Sequence, residues 1–388
     1  MKETYCSLAW NHHFVGPGGQ CKPCCRFKKV NVPSDHNLDH ADLETLFNND
    51  FMNGVRKKML NGERVPGCEK CYEEEDANKL ASLREIHNRM NVITDAIDLD
   101  KPLITFMESA FSNICDVQCV MCGPFFSTAW SKQDLSELDG LIEPYGKLSI
   151  DIDSIKSVIP NLIYLKFTGG EPLLINDYYT ILEERLKYPG IEKCFLNYSS
   201  NLMRFPKQDL LDIWKKVDYV EIATSFDGVG KVIEYVRYPT KWDIVENNLI
   251  KYLQLSNEMN VRVGMRSTIL PYNILNILEM YDWWIEHNNK YYKRQFDNSS
   301  WVNPTHVAQP KHLTLKVLPQ KCKDMITEKL YGKGHNDKVK RSIIHLCNYM
   351  NSADHTIYLD DFKRFTRVMD KRGITFQEIV PEIYNEIF

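Results

Sequence analysis

The sequence predicts an α/β protein built on a partial (β/α)6 barrel, with a cysteine-rich region before the barrel and helices after it. Between about residues 103 and 301, short apolar runs alternate with amphipathic stretches. Such alternation is typical of parallel strands joined by right-handed helical crossovers. Five or six units are fewer than the eight of an ordinary barrel, so we expect an open, partial one. The expected domains are 1–90, 100–305 and 306–388.

Five apolar runs are the predicted strands, and a sixth strand is expected near residues 295–302. The five runs lie at 103–107, 162–167, 194–198, 219–223 and 261–269. Between the fourth and fifth runs, Val245, Leu249 and Leu253 fall at helical spacing. After Pro310 the chain is expected to be mostly helical.

The composition is that of a globular protein with a sizeable core. Hydrophobic residues make up 43% of the 388 residues, charged residues make up 26%, and the net charge is -4. A nucleic-acid partner is not expected, because general nucleic-acid binders are usually basic. The first 15 residues lack the apolar run of a signal peptide, and no run of about 18 apolar residues is present. We therefore expect a cytoplasmic protein with no membrane partner.

Cysteine is the most informative residue type in this chain. There are 12 cysteines, and nine of them lie in the first 122 residues. In a reducing compartment, clustered cysteines indicate metal ligands or redox groups rather than disulfides.

Cys115, Cys119 and Cys122 form a C-x3-C-x2-C motif directly after the first predicted strand. Three thiolates this close in sequence can hold three irons of a cubane cluster, whereas iron–sulfur clusters normally have four cysteine ligands. The missing fourth ligand suggests that a small molecule binds the open iron. A structural zinc site is the alternative, but it would need a distant fourth ligand.

This motif, at the end of a first barrel strand, resembles the signature of the radical S-adenosylmethionine (SAM) superfamily, and the chain is most similar to its SPASM/twitch subgroup. The resemblance covers roughly residues 5–320. It implies two 4Fe–4S clusters, one of which binds SAM and cleaves it reductively to a 5′-deoxyadenosyl radical that abstracts hydrogen from a substrate. Cys115, Cys119 and Cys122 would be the catalytic ligands of that cluster, with Met121 next to the cofactor.

Three further motifs that match this family follow the next predicted strands. The cofactor-binding residues that they imply are Gly169, Gly170, Glu171, Ser200, Asn201, Ser225, Asp227 and Arg237. By resemblance, Glu171 would accept a hydrogen bond from the SAM amino group. Ser225 and Arg237 would also bind SAM, with Arg237 at its carboxylate. For Asn201 and Asp227, a turn or a helix cap is the alternative role.

The N-terminal region holds a second group of cysteines. Its pattern, Cys…Gly-x4-Cys…Cys-x2-Cys, resembles the auxiliary-cluster fold called the twitch domain, here placed before the barrel. Glu75, Ser82 and Arg84 also fit the subset of radical SAM proteins with that arrangement. Cys21 and Cys25 compete for ligand positions, and we favour Cys6, Cys24, Cys68 and Cys71. The alternative is a zinc site from Cys21-x2-Cys24 and Cys68-x2-Cys71, although its gap of 43 residues is long beside the usual spacing of about 15–20.

The resemblance implies an electron donor such as flavodoxin or ferredoxin, and a small-molecule or peptide substrate. The auxiliary cluster would oxidise the substrate radical, relay electrons or brace the fold. The alternative class is a non-catalytic iron–sulfur or zinc module that binds a partner. An epimerase with a hydrogen-donating cysteine is a third possibility, and its candidates are Cys194, Cys322 and Cys347. The aromatic segment 281–301 would either line a substrate mouth or pack in the core.

Overall fold

The computed structural model describes residues 3–76, 82–90, 97–292, 302–331 and 337–388. The chain divides into two compact units. Unit 1 comprises Met1–Ile114, Lys147–Tyr198 and Lys207–Val220, and unit 2 comprises Cys115–Gly146, Ser199–Pro206 and Glu221–Phe388. In the described part of the chain, no helix combines the length and the apolar character needed to cross a membrane.

Eight strands of the described residues form one sheet. They are β1 (His12–Val15), β2 (Cys21–Lys22), β3 (Phe106–Ser109), β4 (Tyr164–Phe167), β5 (Phe195–Ser200), β6 (Tyr219–Ser225), β7 (Val261–Ile269) and β8 (Val302–His306). Across the sheet the order is β2, β1, β3, β4, β5, β6, β7, β8. The pairs β1–β3, β3–β4, β4–β5 and β7–β8 are parallel, and β1–β2 is antiparallel. The predicted α/β class with parallel strands in chain order is confirmed.

Helices connect the strands and make up most of the chain after β8. In unit 1 they are α1 (Leu8–Asn11), α2 (Leu43–Phe47), α3 (Asp50–Asn61), α4 (Glu69–Asp76), α5 (Leu83–Asn88), α6 (Asn176–Arg185) and α7 (Gln208–Trp214). In unit 2 they are α8 (Lys231–Val236), α9 (Trp242–Leu255), α10 (Ile277–Tyr291), α11 (Gln320–Tyr331), α12 (Asp337–Asn351), α13 (Leu359–Asp370), α14 (Phe376–Ile379) and α15 (Pro381–Ile387).

The strands differ from the sequence expectation in several places, and the bounds of β4, β5 and β6 lie one or two residues from the predicted ones. Strand β3 begins three residues after the predicted start, because the N–H groups of Leu103 and Thr105 donate to carbonyl oxygens of α1. Strands β1 and β2 were not predicted, since four and two residues are too few to show a periodic pattern. Strand β8 begins at Val302, and residues 295–301 of the predicted sixth strand lie outside the described residues.

The two faces of β4 have different environments. Phe167 is fully buried, and its ring packs against Tyr178 of α6 and Tyr198 of β5, with centroids 4.5 and 5.0 Å away. Burying a large apolar side chain contributes roughly 1.5–3 kcal/mol, so this face holds the helices to the sheet. Tyr164 and Lys166 alternate with the buried side chains and are only half-buried on the opposite face.

Candidate active site

The cysteine loop, residues 115–122, lies in unit 2 and is tied down by hydrogen bonds on several sides. The N–H of Gln118 donates to the carbonyl oxygen of Tyr238 at 2.6 Å. Nε1 of Trp130 donates to the carbonyl oxygen of Cys119 at 3.3 Å. Because the backbone polar groups have fixed partners, the loop holds its cysteine side chains in defined positions.

Two nitrogen donors are directed at cysteine sulfur atoms in this loop. Nη1 of Arg237 lies 3.4 Å from Sγ of Cys119, and Nδ2 of Asn201 lies 3.9 Å from Sγ of Cys115. Burial raises the pKa of the Cys119 and Cys122 thiols to about 12, and Arg237 acts in the opposite direction on both. Metal coordination deprotonates a thiol outright. Three cysteines, two of which have N–H donors at sulfur, therefore fit an iron–sulfur cluster.

Arg237 and Asp227 form a buried ion pair beside the cysteine loop. Oδ2 of Asp227 accepts hydrogen bonds from Nε and Nη2 of Arg237 at 2.7 and 2.6 Å, and Oδ1 accepts one from the N–H of Thr268 at 2.7 Å. Burial lowers the pKa of Arg237, but Asp227 and Cys119 raise it, and the net pKa is above its usual value. Two of the three guanidinium nitrogens are therefore committed to Asp227, and the third faces Cys119.

The Gly-Gly-Glu-Pro segment lies in unit 1, directly after β4. A Cβ on Gly170 would lie 1.9 Å from the carbonyl oxygen of Ile114, and Gly169 has φ +97°. The N–H groups of Gly170 and Glu171 donate to the carbonyl oxygens of Ser112 and Ile114 at 2.9 and 2.8 Å. The absence of a Cβ at these glycines therefore lets their backbone pack closely against the chain segment that precedes Cys115.

The remaining predicted cofactor residues occupy the ends of β5 and β6 and the cysteine loop. Ser200 is buried at the end of β5. Asn201 accepts a hydrogen bond from the N–H of Met203 at 2.9 Å, and its Nδ2 donates to Asp116 at 2.8 Å. Asn201 thus forms the turn considered as its alternative role and also contacts the cysteine loop. Met121 in the cysteine loop and Ser225 at the end of β6 are half-buried.

The N-terminal cysteine group surrounds a small cavity in unit 1. The cysteines that line it are Cys6, Cys24, Cys68 and Cys71. Burial raises the pKa of Cys6 and Cys24 to about 12, and Arg84 lowers that of Cys6. Arg84 and Ser82 both donate to Glu75, which joins α4 to the start of α5. Among the described residues, no three His, Cys, Asp or Glu side chains converge to hold a single metal ion.

Cys21 and Cys25 have surroundings different from those of the four cavity cysteines. The Cys21 thiol is fully buried and donates to the carbonyl oxygen of Gly19 at 3.5 Å. Cys25 faces Glu108 of β3, and burial raises its pKa to about 12. The zinc alternative requires Cys21, whose thiol lies away from the cavity lining.

A polar cluster lies on one face of unit 1's strands, where His12 and Glu108 are buried and Lys166 is half-buried. Lys166 of β4 donates to Glu108 of β3 at 2.7 Å, and Nε2 of His12 in β1 lies 4.0 Å from the same carboxylate. Burial lowers the pKa of His12 to about 4, and its Nδ1 bonds the carbonyl oxygen of Pro23 at 2.9 Å. His12 is therefore neutral, and this face presents a matched pair of charges. Sequence reasoning missed Glu108 and Lys166, because a charge in a short strand is usually solvated.

Other residues considered from the sequence are buried. Cys194, Cys322 and Cys347, the hydrogen-donor candidates, have at most 3% exposure. Trp283 and Trp284 of the aromatic segment are core residues at 8% and 1%, and Phe296 and Trp301 of that segment lie outside the described residues.

Sequence reasoning also missed Arg372, which follows α13. Its Nη1 donates to the carbonyl oxygen of Gln118, in the cysteine loop, at 3.0 Å. No sequence signal could have singled it out, because a lone arginine after an amphipathic helix is most often a surface charge.

No protein-family model and no curated protein matches the chain. Solved structures that match in part include native anSMEcpe with bound AdoMet, at 13% identity and a TM-score of 0.40, over 57% of this chain and 58% of that chain. SuiB of Streptococcus suis bound to S-adenosylmethionine matches at 14% identity and a TM-score of 0.36, over 78% of this chain and 64% of that one. The chain thus spans less than two thirds of the length of each.

Proposed function

We propose that this chain is a radical SAM oxidoreductase in which Cys115, Cys119 and Cys122 hold a 4Fe–4S cluster with one iron open to SAM. The observation that carries this proposal is the pair of N–H donors, from Arg237 and Asn201, directed at two of the three sulfur atoms. Hydrogen bonds to coordinating sulfur stabilise the thiolate form and tune the cluster. A neutral thiol that only packs in the core would not require a buried arginine beside its sulfur.

Cys115, Cys119 and Cys122 would hold the cluster, which would supply the electron for reductive cleavage of SAM to methionine and a 5′-deoxyadenosyl radical that abstracts hydrogen from the substrate. The chain would hold SAM and the substrate in position for hydrogen abstraction and exclude water from the site. Asp227 fixes Arg237, which places a positive charge beside Cys119. In the proposal, Glu171 accepts a hydrogen bond from the SAM amino group.

We assign a second, auxiliary 4Fe–4S cluster to the N-terminal cavity. The support is that four thiols line one cavity while two neighbouring cysteines face elsewhere. The proposed ligands are Cys6, Cys24, Cys68 and Cys71. Such a cluster would exchange electrons with the substrate or brace α4 and α5 around the cavity.

The proposed substrate is polar, either a small molecule or a peptide. The buried carboxylate of Glu108 in β3 pairs with the half-buried Lys166 of β4, and this ion pair suits hydrogen-bonding groups better than an apolar surface does. A one-electron donor of the flavodoxin or ferredoxin class completes the proposed system, in a cytoplasmic, reducing location where thiols persist.

The test is metal analysis and SAM cleavage by protein purified and reconstituted without oxygen. We expect about eight irons and eight acid-labile sulfides per chain, with little zinc. After chemical reduction the protein should convert SAM to 5′-deoxyadenosine. Cys115→Ala should abolish this activity, whereas Cys194→Ala, at a buried thiol before β5, should retain it. Intact clusters without any 5′-deoxyadenosine would instead support a non-catalytic iron–sulfur module.

A further inference from the structure

Arg372 brings the C-terminal helical region into contact with the cysteine loop. Its guanidinium donates to the carbonyl oxygen of Gln118 at 3.0 Å and to Oε1 of Gln133 at 2.5 Å. It also lies over the rings of Trp130 and Tyr238, 4.7 and 5.2 Å from their centroids. Gln118 directly precedes Cys119, and Trp130 bonds the Cys119 carbonyl oxygen. Arg372 therefore supports the cysteine loop from two sides.

Arg372 and Arg237 differ in the groups that surround their positive charges. Arg237 is paired with the Asp227 carboxylate, whereas the partners of Arg372 are a carbonyl, an amide oxygen and two aromatic rings. In the described part of the chain no carboxylate forms an ion pair with Arg372, and its buried Nε has no hydrogen-bond partner. Burial lowers its pKa only to about 10, so the group stays charged at neutral pH.

A half-buried cation without a carboxylate partner is more stable where an anion lies nearby. Cys119 is one of the groups that interact electrostatically with Arg372, and cysteine ligands are thiolates when they hold a metal. A cluster bound by three thiolates gains further negative charge on reduction. Arg372, which has no carboxylate partner among the described residues, would then supply a positive charge that offsets the negative charge of the reduced cluster.

We propose that Arg372 is a positioning residue that holds the cysteine loop through Gln118 and favours the reduced form of the cluster through its uncompensated positive charge. The inference rests on the proposed function, because it requires a cluster at Cys115, Cys119 and Cys122. It extends that function by assigning the C-terminal region, through one side chain, a role in setting the reduction potential. Removing a nearby positive charge makes the addition of an electron less favourable, so the potential should become more negative.

The experiment is an anaerobic redox titration followed by electron paramagnetic resonance, on the signal that changes when SAM is added. In Arg372→Gln we expect the reduced-to-oxidised ratio at a fixed potential to fall about tenfold, which is about 59 mV for one electron. Arg372→Lys keeps the charge and should stay close to the wild-type potential. The matched control is Arg364→Gln, which removes a half-exposed charge from α13 and should leave the potential unchanged. The SAM-insensitive signal of the auxiliary cluster is an internal reference that should not move.

Each outcome decides between the possibilities. A wild-type potential in Arg372→Gln with full iron content would overturn the electrostatic role. Loss of iron from both Arg372 variants would reduce Arg372 to a structural brace and also overturn the proposal. If the wild-type protein shows no SAM-sensitive signal, the proposed function itself fails. This failure is distinct from failure of the Arg372 proposal, because it is seen in the wild-type protein before any variant is compared.

Discussion

Nη1 of Arg237 donates to Sγ of Cys119 at 3.4 Å, and the same guanidinium is held by the fully buried carboxylate of Asp227. The two contacts link the end of β6 to the cysteine loop through one side chain. Asp227 also accepts the N–H of Thr268 in β7, so its carboxylate is held by the backbone of the sheet as well as by Arg237. The position of the charge beside Cys119 is thus determined by the sheet rather than by a mobile side chain.

Asp227→Asn should destabilise the protein, because it leaves Arg237 as a buried cation without its partner. Removing one member of a buried pair costs about 3–5 kcal/mol, and we expect the free energy of unfolding in urea to fall by that amount. The matched control is Glu221→Gln, whose partner Arg266 is 44% exposed, so the loss should be about 0–1 kcal/mol. Equal losses in the two variants would contradict a structural role for the Asp227–Arg237 pair.

Gly170→Ala should disrupt the segment before the cysteine loop. The new Cβ would lie 1.9 Å from the carbonyl oxygen of Ile114, and backbone cannot move aside as a side chain can. Overpacking usually costs about 1–3 kcal/mol, and we expect at least that loss together with reduced iron content. Gly123→Ala, which meets nothing within 4 Å, is the control and should behave as wild type. Normal stability and iron in Gly170→Ala would show that the loop can shift.

Adjacent cysteines should differ in their effect on the auxiliary cluster. Cys24 lines the N-terminal cavity, whereas Cys25 faces Glu108. Cys24→Ala should therefore lose about four irons per chain while Cys25→Ala keeps them. Iron and sulfide analysis after anaerobic reconstitution measures both. The reverse result would mean that Cys25 is the ligand, and full iron content in both variants would remove Cys24 from the ligand set.

Acid should destabilise the folded chain partly through His312. Burial lowers its pKa from 6.5 to about 4, although Asp361 raises it. Because the folded state disfavours the charged imidazole, the unfolded chain binds more protons in this window. Above pH 6.5 the imidazole is neutral in both states, and the folded state keeps its full stability. As the pH falls from 6.5 toward 4, protonation of the unfolded chain lowers the free energy of unfolding. His312→Gln should lessen this acid loss by up to about 3 kcal/mol, as judged by urea unfolding of both proteins at matched pH values. An identical pH slope in the two proteins would contradict the assignment.

The sequence by itself determined the parallel α/β class and the two groups of cysteines, because both are local patterns. Strand and helix periodicities are properties of short segments, and β7 spans Val261–Ile269 as predicted. The spacing of Cys115, Cys119 and Cys122 is likewise fixed by the chain within a single loop. Chemistry that depends on neighbours in sequence can be predicted before folding is known.

Only the tertiary structure decided which cysteines share a cavity, what Arg237 contacts, and that Arg372 belongs to the site. The Gly-x4-Cys spacing favours Cys24 over Cys25, but only the packing shows that Cys24 lines the cavity and that Cys25 faces Glu108. The hydrogen bond from Arg372 to Gln118 joins residues 254 positions apart. Contacts across such distances arise from how the helices pack on the sheet, which no local pattern of residues encodes.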